Sequence, residues 1–316
     1  MIFRTEIKIP PSDLRISYKD KIFCIGSCFA ENIFDKFKYL GFDVEKSSFG
    51  IAFNPLVISN QLNILLDRSE NKSSNYIFSK ENIFLSWMHH SKIYSTDKEL
   101  LLSILNTGIE ENKHYLEYAN LLIITLGSSF YYFHNDLKFP VANCHKVNAQ
   151  NFTRMETDID TIYEAYSDLI LAFRNVNPNL KILFTVSPVR YLKDGFIENS
   201  RSKAKLNVAI EKLQMEFSSV YYFPSYEILI DDLRGYRFVK EDLVHPNDLA
   251  IDYIWNMFND FYFDQITVNT IVELKRIKLL QAHISIHPES NESKVMIDKI
   301  RILEEAFTKK HPEVKL

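Results

Sequence analysis

The sequence predicts an α/β fold, a three-layer α/β/α sandwich on a mainly parallel sheet, followed by a helical hairpin. Three observations predict it. Short, unbroken apolar runs at 22–25, 121–126, 182–186 and 220–223 read as buried strands. Stretches of helical period separate them, at 33–40, 98–118, 158–173 and 200–217, and that alternation implies parallel pairing through right-handed crossovers. Between Lys21 and Glu31 the chain passes from strand to helix through the turn Gly26-Ser27-Cys28. Such a turn sits over the carboxyl edge of an open sheet, where ligands of these folds bind.

Taken in order, the first strand stops at Gly26. The helix after it carries Ile33, Phe34, Phe37 and Leu40 on one face and closes at Gly41. Residues 42–44 predict a second strand, and Pro55 opens a helix through Leu65 because proline is tolerated at the first helical position. Residues 67–75 are polar and predict an exposed loop. Residues 76–86 form a hairpin with Lys80-Glu-Asn82 at its tip. The segments 130–133 and 139–142 alternate about the polar tip 135–138 and predict a second hairpin. In the helix at 158–173, Ile162, Tyr166, Leu169 and Phe173 share a face. The helix at 200–217 presents a basic face, on which Arg201 and Lys203 read as solvated. Pro246 is expected to open a helix ending near Phe263.

Two units follow from this pass. Residues 1–264 make the α/β domain. Residues 265–316 make a helical appendage, with stripes Leu274, Ile277, Leu280, Ile284 and Met296, Ile300, Leu303, Phe307 separated by the breaker-rich segment 287–293. The hairpin is expected to pack back on the core. At 316 residues the chain can bury a sizeable core, and its many aromatics (24 Phe, 17 Tyr) suit one. A net charge of −4 argues against nucleic acid as a partner. The first residues hold no signal-like apolar run and no stretch reaches a membrane span. Three cysteines, in no metal or disulfide spacing, fit a reducing cytoplasm.

The chemistry-bearing residues lie in two places. Ser27 and Cys28 are nucleophile candidates at a helix start, where unpaired N–H groups can hold an oxyanion and the dipole favours a thiolate. Asp242 and His245, three residues apart just before a helix, suit a carboxylate that orients an imidazole. Read alone, that pair equally fits a surface charge and a helix N-cap. Cys28 is the stronger nucleophile candidate, since a helix N-terminus and a nearby imidazolium both lower a thiol pKa. Cys24 reads as a small buried hydrophobe. Arg190, just past the strand-ending Ser187-Pro188, stands where a guanidinium can grip an anionic substrate, or it pairs with Asp194 or Glu198. His89 and His90 lack further ligands at metal spacing, so no metal and no cofactor is expected. One of the two faces the cleft as a lining group, His90 being assigned there.

Five blocks in order carry a resemblance: Ile25-Gly-Ser-Cys-Phe-Ala30, Thr125-Leu-Gly127, Asn143-Cys-His-Lys146, Ser187-Pro-Val-Arg190 and Glu241-Asp-Leu-Val-His-Pro246. They resemble the GSCFA family, itself similar to the SGNH (GDSL-type) hydrolases, and the likeness covers most of residues 3–260. It implies an SGNH- or flavodoxin-like sandwich and chain order nucleophile, acid, base. It aligns Cys28 on the nucleophile and Ser27 on the aspartate before it. It also implies an oxyanion hole with the N–H of Gly50. The usual Gly-x-Asn block is here Gly127-Ser-Ser129, so Ser129 stands for the asparagine, with Asn143 or Asn54 as substitutes; Asn54 and His90 are further expected to line the substrate site. The function implied is an acyl esterase or acyltransferase working on a small acylated substrate, anionic or carbohydrate-like in its remainder. The alternative is a catalytically silent binding module of the same fold.

Overall fold

The computed structural model describes residues 5–68, 73–282 and 291–315. The first strand, β1 (Lys21–Gly26), is buried along nearly its whole length and leads into α1 (Cys28–Tyr39), which turns Phe29, Ile33 and Phe37 inward. Strand β2 (Asp43–Lys46) follows, and then α2 (Pro55–Leu65) with Asn54 as its cap. The hairpin β3 (Ile77–Lys80) and β4 (Ile83–Ser86) turns through Glu81 and Asn82, both at positive φ, as a two-residue hairpin turn requires. Next come α3 (Lys98–Glu117) and the fully buried β5 (Leu121–Leu126).

Strands β6 (Phe130–His134), β7 (Phe139–Val141) and β8 (Phe152–Glu156) make a separate antiparallel sheet in the order β7-β6-β8. The third of these was not expected from the sequence. Its residues alternate between half-buried and exposed and include Arg154, so no apolar run marks it. After α4 (Ile159–Val176) and β9 (Lys181–Val186), helix α5 runs over Gly195–Glu216, five residues longer at its start than expected. Strand β10 (Val220–Phe223) leads to a short α6 (Ser225–Glu227) that continues as a π turn over Ile228–Leu233, also unexpected.

Helix α7 spans Asp248–Tyr262 and is capped by Asn247, so Pro246 does not open it. Pro246 instead bridges Val239 and closes the loop before the helix. The chain ends with α8 (Gln265–Ala282) and α9 (Asn291–Lys310). Of the two stripes, Leu274, Ile277 and Phe307 are buried, whereas Leu303 is 37 % exposed; Ile284 and residues 287–290 lie outside the described residues. Phe307 and Val314 join the apolar cluster of α1 and α7, and Lys315 N–H donates to Gly41 O at 2.7 Å.

The main sheet has the order β10-β9-β5-β1-β2, every pair parallel. One apolar cluster lies between the sheet and α2, α4 and α5; the other lies between the sheet and α1, α7 and α8. This is the three-layer sandwich, and it brings every strand's carboxyl end to one edge. No helix among the described residues is long and apolar enough to cross a membrane.

Asn54 ties that edge together. Its Oδ1 accepts from the N–H groups of Leu56 and Val57, and its Nδ2 donates to Ser129 O at 3.1 Å, all within a site 3 % exposed. Asn54→Ala should therefore lose both a helix cap and a buried cross-link. The expected cost is about 2 kcal/mol of unfolding free energy in urea titration, against about 1 for a cap alone.

Candidate active site

The turn at the end of β1 is fixed by backbone. Gly26 has φ +136°, and a Cβ there would stand 2.3 Å from Thr125 O. Ser27 N–H donates to Thr125 O at 3.0 Å, which ties the turn to the carboxyl end of β5. Segment 47–54 crosses above: Ser47 N–H donates to Cys24 O and Ala52 N–H to Gly26 O, both at 3.0 Å. Phe53 O accepts from the N–H groups of Gly127 and Ser128, and a Cβ on Gly127 would meet Phe53 Cβ at 2.6 Å.

Ser27 is the N-cap of α1. It is 4 % exposed, and its Oγ accepts from Phe29 N–H at 3.3 Å. Cys28 is the first helical residue and only half-buried, at the helix end where backbone N–H groups favour a thiolate. The expected low pKa is not found. Burial, then the Glu31 carboxylate one turn on, push the thiol above its ordinary value, outweighing the two N–H groups and the Lys203 ammonium that favour a thiolate. Cys24 is buried and its thiol is pushed up strongly by desolvation.

Asp242 and His245 do meet. One carboxylate oxygen, Oδ1, accepts from the N–H groups of Val244 and His245 at 2.9 Å each; the other, Oδ2, lies 2.6 Å from His245 Nδ1. The backbone N–H of His245, then that of Val244 and the imidazole, hold the carboxyl down at about 2. Leu243 between them takes φ +60°, the cost of folding the loop back on itself. His245 is half-exposed, and among the described residues its Nε2 has no hydrogen-bond partner. Neither Ser27 nor Cys28 is hydrogen-bonded to the imidazole among the described residues.

Two of the expected oxyanion donors, Gly50 and Ser129, are hydrogen-bonded elsewhere. Gly50, at φ +75°, donates its N–H to Ser47 O at 3.1 Å. Ser129 is fully buried, with its N–H on Ser202 Oγ and its hydroxyl on Glu156. Asn143 accepts from His145 N–H at 2.7 Å and, with Asn54, Phe53, Tyr132, Cys144 and Lys193, lines an aromatic cavity of about 410 Å³. His145 is buried, its Nε2 on Ser86 O, and His89 is buried with Nδ1 on Ser86 Oγ; desolvation drives the His89 imidazole down to about 3. His90 lies over Gly50 and is less buried. Desolvation, then Lys92, keep it below its ordinary value while Glu31, which also acts on Cys28, opposes them.

Arg190 lines a cavity of about 330 Å³ with Arg234, Tyr236, Leu243 and Val244, so it borders the loop of Asp242 and His245. Asp194 is paired with Arg154, and Glu198 with Arg201 at 2.6 Å. Arg190 makes no ion pair among the described residues; its guanidinium lies 5.9 Å from the Phe196 ring.

Lys203 is the residue whose sequence reading fails. Instead of a solvated face it occupies a site 2 % exposed, where Nζ donates to Gly127 O and Ser187 O at 2.7 Å each. The signal was present in the register: Asn199, Ser202, Leu206, Ala209, Ile210 and Leu213 form the buried stripe, and Lys203 falls on it.

The GSCFA family model matches residues 21–258, from β1 into α7. No curated protein matches the chain. Among solved structures it is similar to a carbohydrate esterase family 3 protein from Talaromyces cellulolyticus, at 14 % identity over 50 % of this chain and 60 % of that one, TM-score 0.26. It is also similar to an acetyl esterase mutant with acetate ion, at 14 % identity over 53 % and 62 % of the two chains, TM-score 0.27. A third is an acetyl xylan esterase from the rumen bacterium Butyrivibrio proteoclasticus, at 14 % identity over 77 % and 65 %, TM-score 0.29. The match spans about three fifths of the length of each of these structures.

Proposed function

This chain belongs to the GSCFA family, and on that premise we propose that it is an acyl-handling enzyme, an esterase or acyltransferase that forms an acyl-enzyme on Cys28. His245 acts as general acid and base, and Asp242 orients it. The observation that carries this reading is the Asp242–His245 pair. A carboxylate that spends one oxygen on two N–H groups and the other on Nδ1 fixes the imidazole, and leaves Nε2 unpartnered and half-exposed to move protons. Cys28 stands at the start of α1, where the helix end favours negative charge, which suits attack on a carbonyl. Arg190, without a carboxylate partner among the described residues, is proposed to hold an anionic part of a substrate whose acyl group is small, such as acetyl. The protein is proposed to act in the cytoplasm as a core domain, residues 1–264, with residues 265–316 as its packed appendage.

Hydrolysis of nitrophenyl acetate by the purified chain tests the reading. His245→Ala should lower kcat about 10²–10⁴-fold, the usual worth of a general acid–base, and Asp242→Asn should lower it less. A transferase would release one burst of nitrophenol per chain and then stall until an acceptor is supplied. If neither variant changes the rate or the burst of the parent, the pair is not the acid–base. No reaction from any of the three would favour the silent binding module.

A further inference from the structure

We propose that the aromatic cavity beside α2 is a binding site for a flat organic anion, an aryl carboxylate, with the block Asn143-Cys-His-Lys146 as its rigid wall. This goes beyond the acyl-enzyme reading and does not rest on it, since binding there needs neither Cys28 nor His245.

The block has no part in the chemistry proposed above, yet it is built with care. It forms the loop after β7, and its residues divide into two sets. Asn143, Cys144 and Lys146 line the cavity of about 410 Å³. His145 is buried, with Nε2 2.9 Å from Ser86 O, and anchors the loop from behind. Further bonds hold it. Asn143 Oδ1 accepts from His145 N–H at 2.7 Å, and the Lys80 ammonium donates to His145 O at 2.9 Å and to Lys146 O at 3.1 Å. His145 and Lys146 both take left-handed backbone, at φ +48° and +54°. Side chains with a Cβ are strained there, and the strain persists only where surrounding contacts impose it, typically at functional positions. The wall is therefore set in place before a ligand arrives, which lowers the cost of binding.

The rest of the cavity is aromatic. Phe53, Tyr132 and Phe152 line it from the segment before α2, from β6 and from β8, and the Tyr132 and Phe152 rings meet edge-on with centroids 6.5 Å apart. The volume is that of an ordinary small-molecule pocket, and such a lining favours a flat apolar body. Charge decides what that body carries. Among the described residues no acidic side chain lines the cavity, whereas Lys146 and Lys193 do, and neither lysine has a carboxylate partner. Asp194, next to Lys193 in the chain, is paired with Arg154. Burial pushes the Cys144 thiol up to about 11, against the pull of Lys193, so the thiol adds no negative charge at neutral pH.

The polar groups left over are donors. Lys193 gives one N–H to the Tyr132 hydroxyl and has two more to give. Asn143 has spent its Oδ1 within the loop, and its Nδ2 has no partner among the described residues. A carboxylate only accepts, so it matches them. A sugar fits worse. Asn54 has both polar side-chain atoms bonded to backbone, and the Tyr131 hydroxyl goes to Met155 Sδ, so most hydroxyls of a sugar would enter without partners.

Calorimetric titration of the full chain with 2-naphthoate tests this, beside neutral 2-naphthamide and the sugar acid glucuronate. Naphthoate should bind with a Kd of roughly 1 mM or tighter, the range for so small a ligand. Naphthamide should bind roughly three- to tenfold more weakly, because it keeps the body and loses the charge, and glucuronate more weakly still. Lys193→Met changes an exposed side chain. It should cut naphthoate affinity by the same roughly three- to tenfold and leave naphthamide where it was. Arg190→Met, in the other cavity, should change neither. Naphthoate should also slow modification of Cys144 by N-ethylmaleimide and leave that of Cys28 alone, which locates the ligand. Glucuronate binding more tightly than naphthoate would give the cavity to a sugar and overturn the proposal. So would equal affinities for naphthoate and naphthamide, a loss in Arg190→Met in place of Lys193→Met, or a Cys144 left unprotected. Naphthoate should bind Cys28→Ala as it binds the parent. A chain without esterase activity that passes these tests would sink the enzyme reading and leave this site standing.

Discussion

Cys28→Ala should bring hydrolysis of nitrophenyl acetate down to the buffer rate, a loss of roughly 10⁴-fold or more, because removing the nucleophile removes the covalent route. The fold should tolerate it. Cys28 is half-buried at the first position of α1, where alanine is accepted, and the cap at Ser27 stays in place. Ser27→Ala should do the converse. It deletes the Oγ that accepts from Phe29 N–H, so helix and protein lose about 1 kcal/mol and melting falls by about 2–4 °C. The chemistry should survive, since that hydroxyl is 4 % exposed and turned to the backbone of its own helix. Steady-state rates and melting curves of the two variants separate the roles. An active Cys28→Ala beside a dead, well-folded Ser27→Ala would transfer the nucleophile to the serine. The parent's pH profile carries the same logic. Because the Cys28 thiol is held above its ordinary pKa, its thiolate alone cannot supply the nucleophile at neutral pH, and a base must take the proton as the bond forms.

The strands of the main sheet were legible because each is an unbroken apolar run, as strands buried on both faces must be; β5 is buried at every residue. The glycine turn was legible too, since few other things follow such a run with Gly-Ser and then a helical period. What failed was anything set by burial rather than by order. Lys203 was read from its charge, although its register put it on the buried stripe of α5, and register was the better guide. The pKa of Cys28 was read from the helix dipole and an imidazole. Neither the desolvation nor the Glu31 carboxylate that reverse the sign is visible without the packing around the turn. Spacing alone made Asp242 and His245 partners, because three residues span one tight loop. Where the free Nε2 faces depends on the Val239–Pro246 bridge and on Leu243 at positive φ, and neither has a sequence signature. Strand β8, polar and half-exposed, had none either.

The second large effect concerns stability. Gly26→Ala should cost about 4 kcal/mol or more of unfolding free energy, a large share of the roughly 5–15 kcal/mol available to a domain. Two terms add. At φ +136° any residue with a Cβ is strained, by roughly 1–3 kcal/mol. The new Cβ would also stand 2.3 Å from Thr125 O and 2.8 Å from Thr125 N, which are backbone atoms of the central strand β5 and have no rotamer in which to escape. Relief would require β1 and β5 to part where Ser27 N–H bonds Thr125 O. That movement would pull on Ala52, whose N–H is held by Gly26 O, and so on the segment above the site. Gly195→Ala is the matched control: its φ is +86°, and nothing lies within 4 Å of the added carbon, so it should lose only the strain. Urea titration of both variants isolates the clash as the difference. A Gly26→Ala protein no less stable than Gly195→Ala would mean that the turn carrying Cys28 is not pressed against β5.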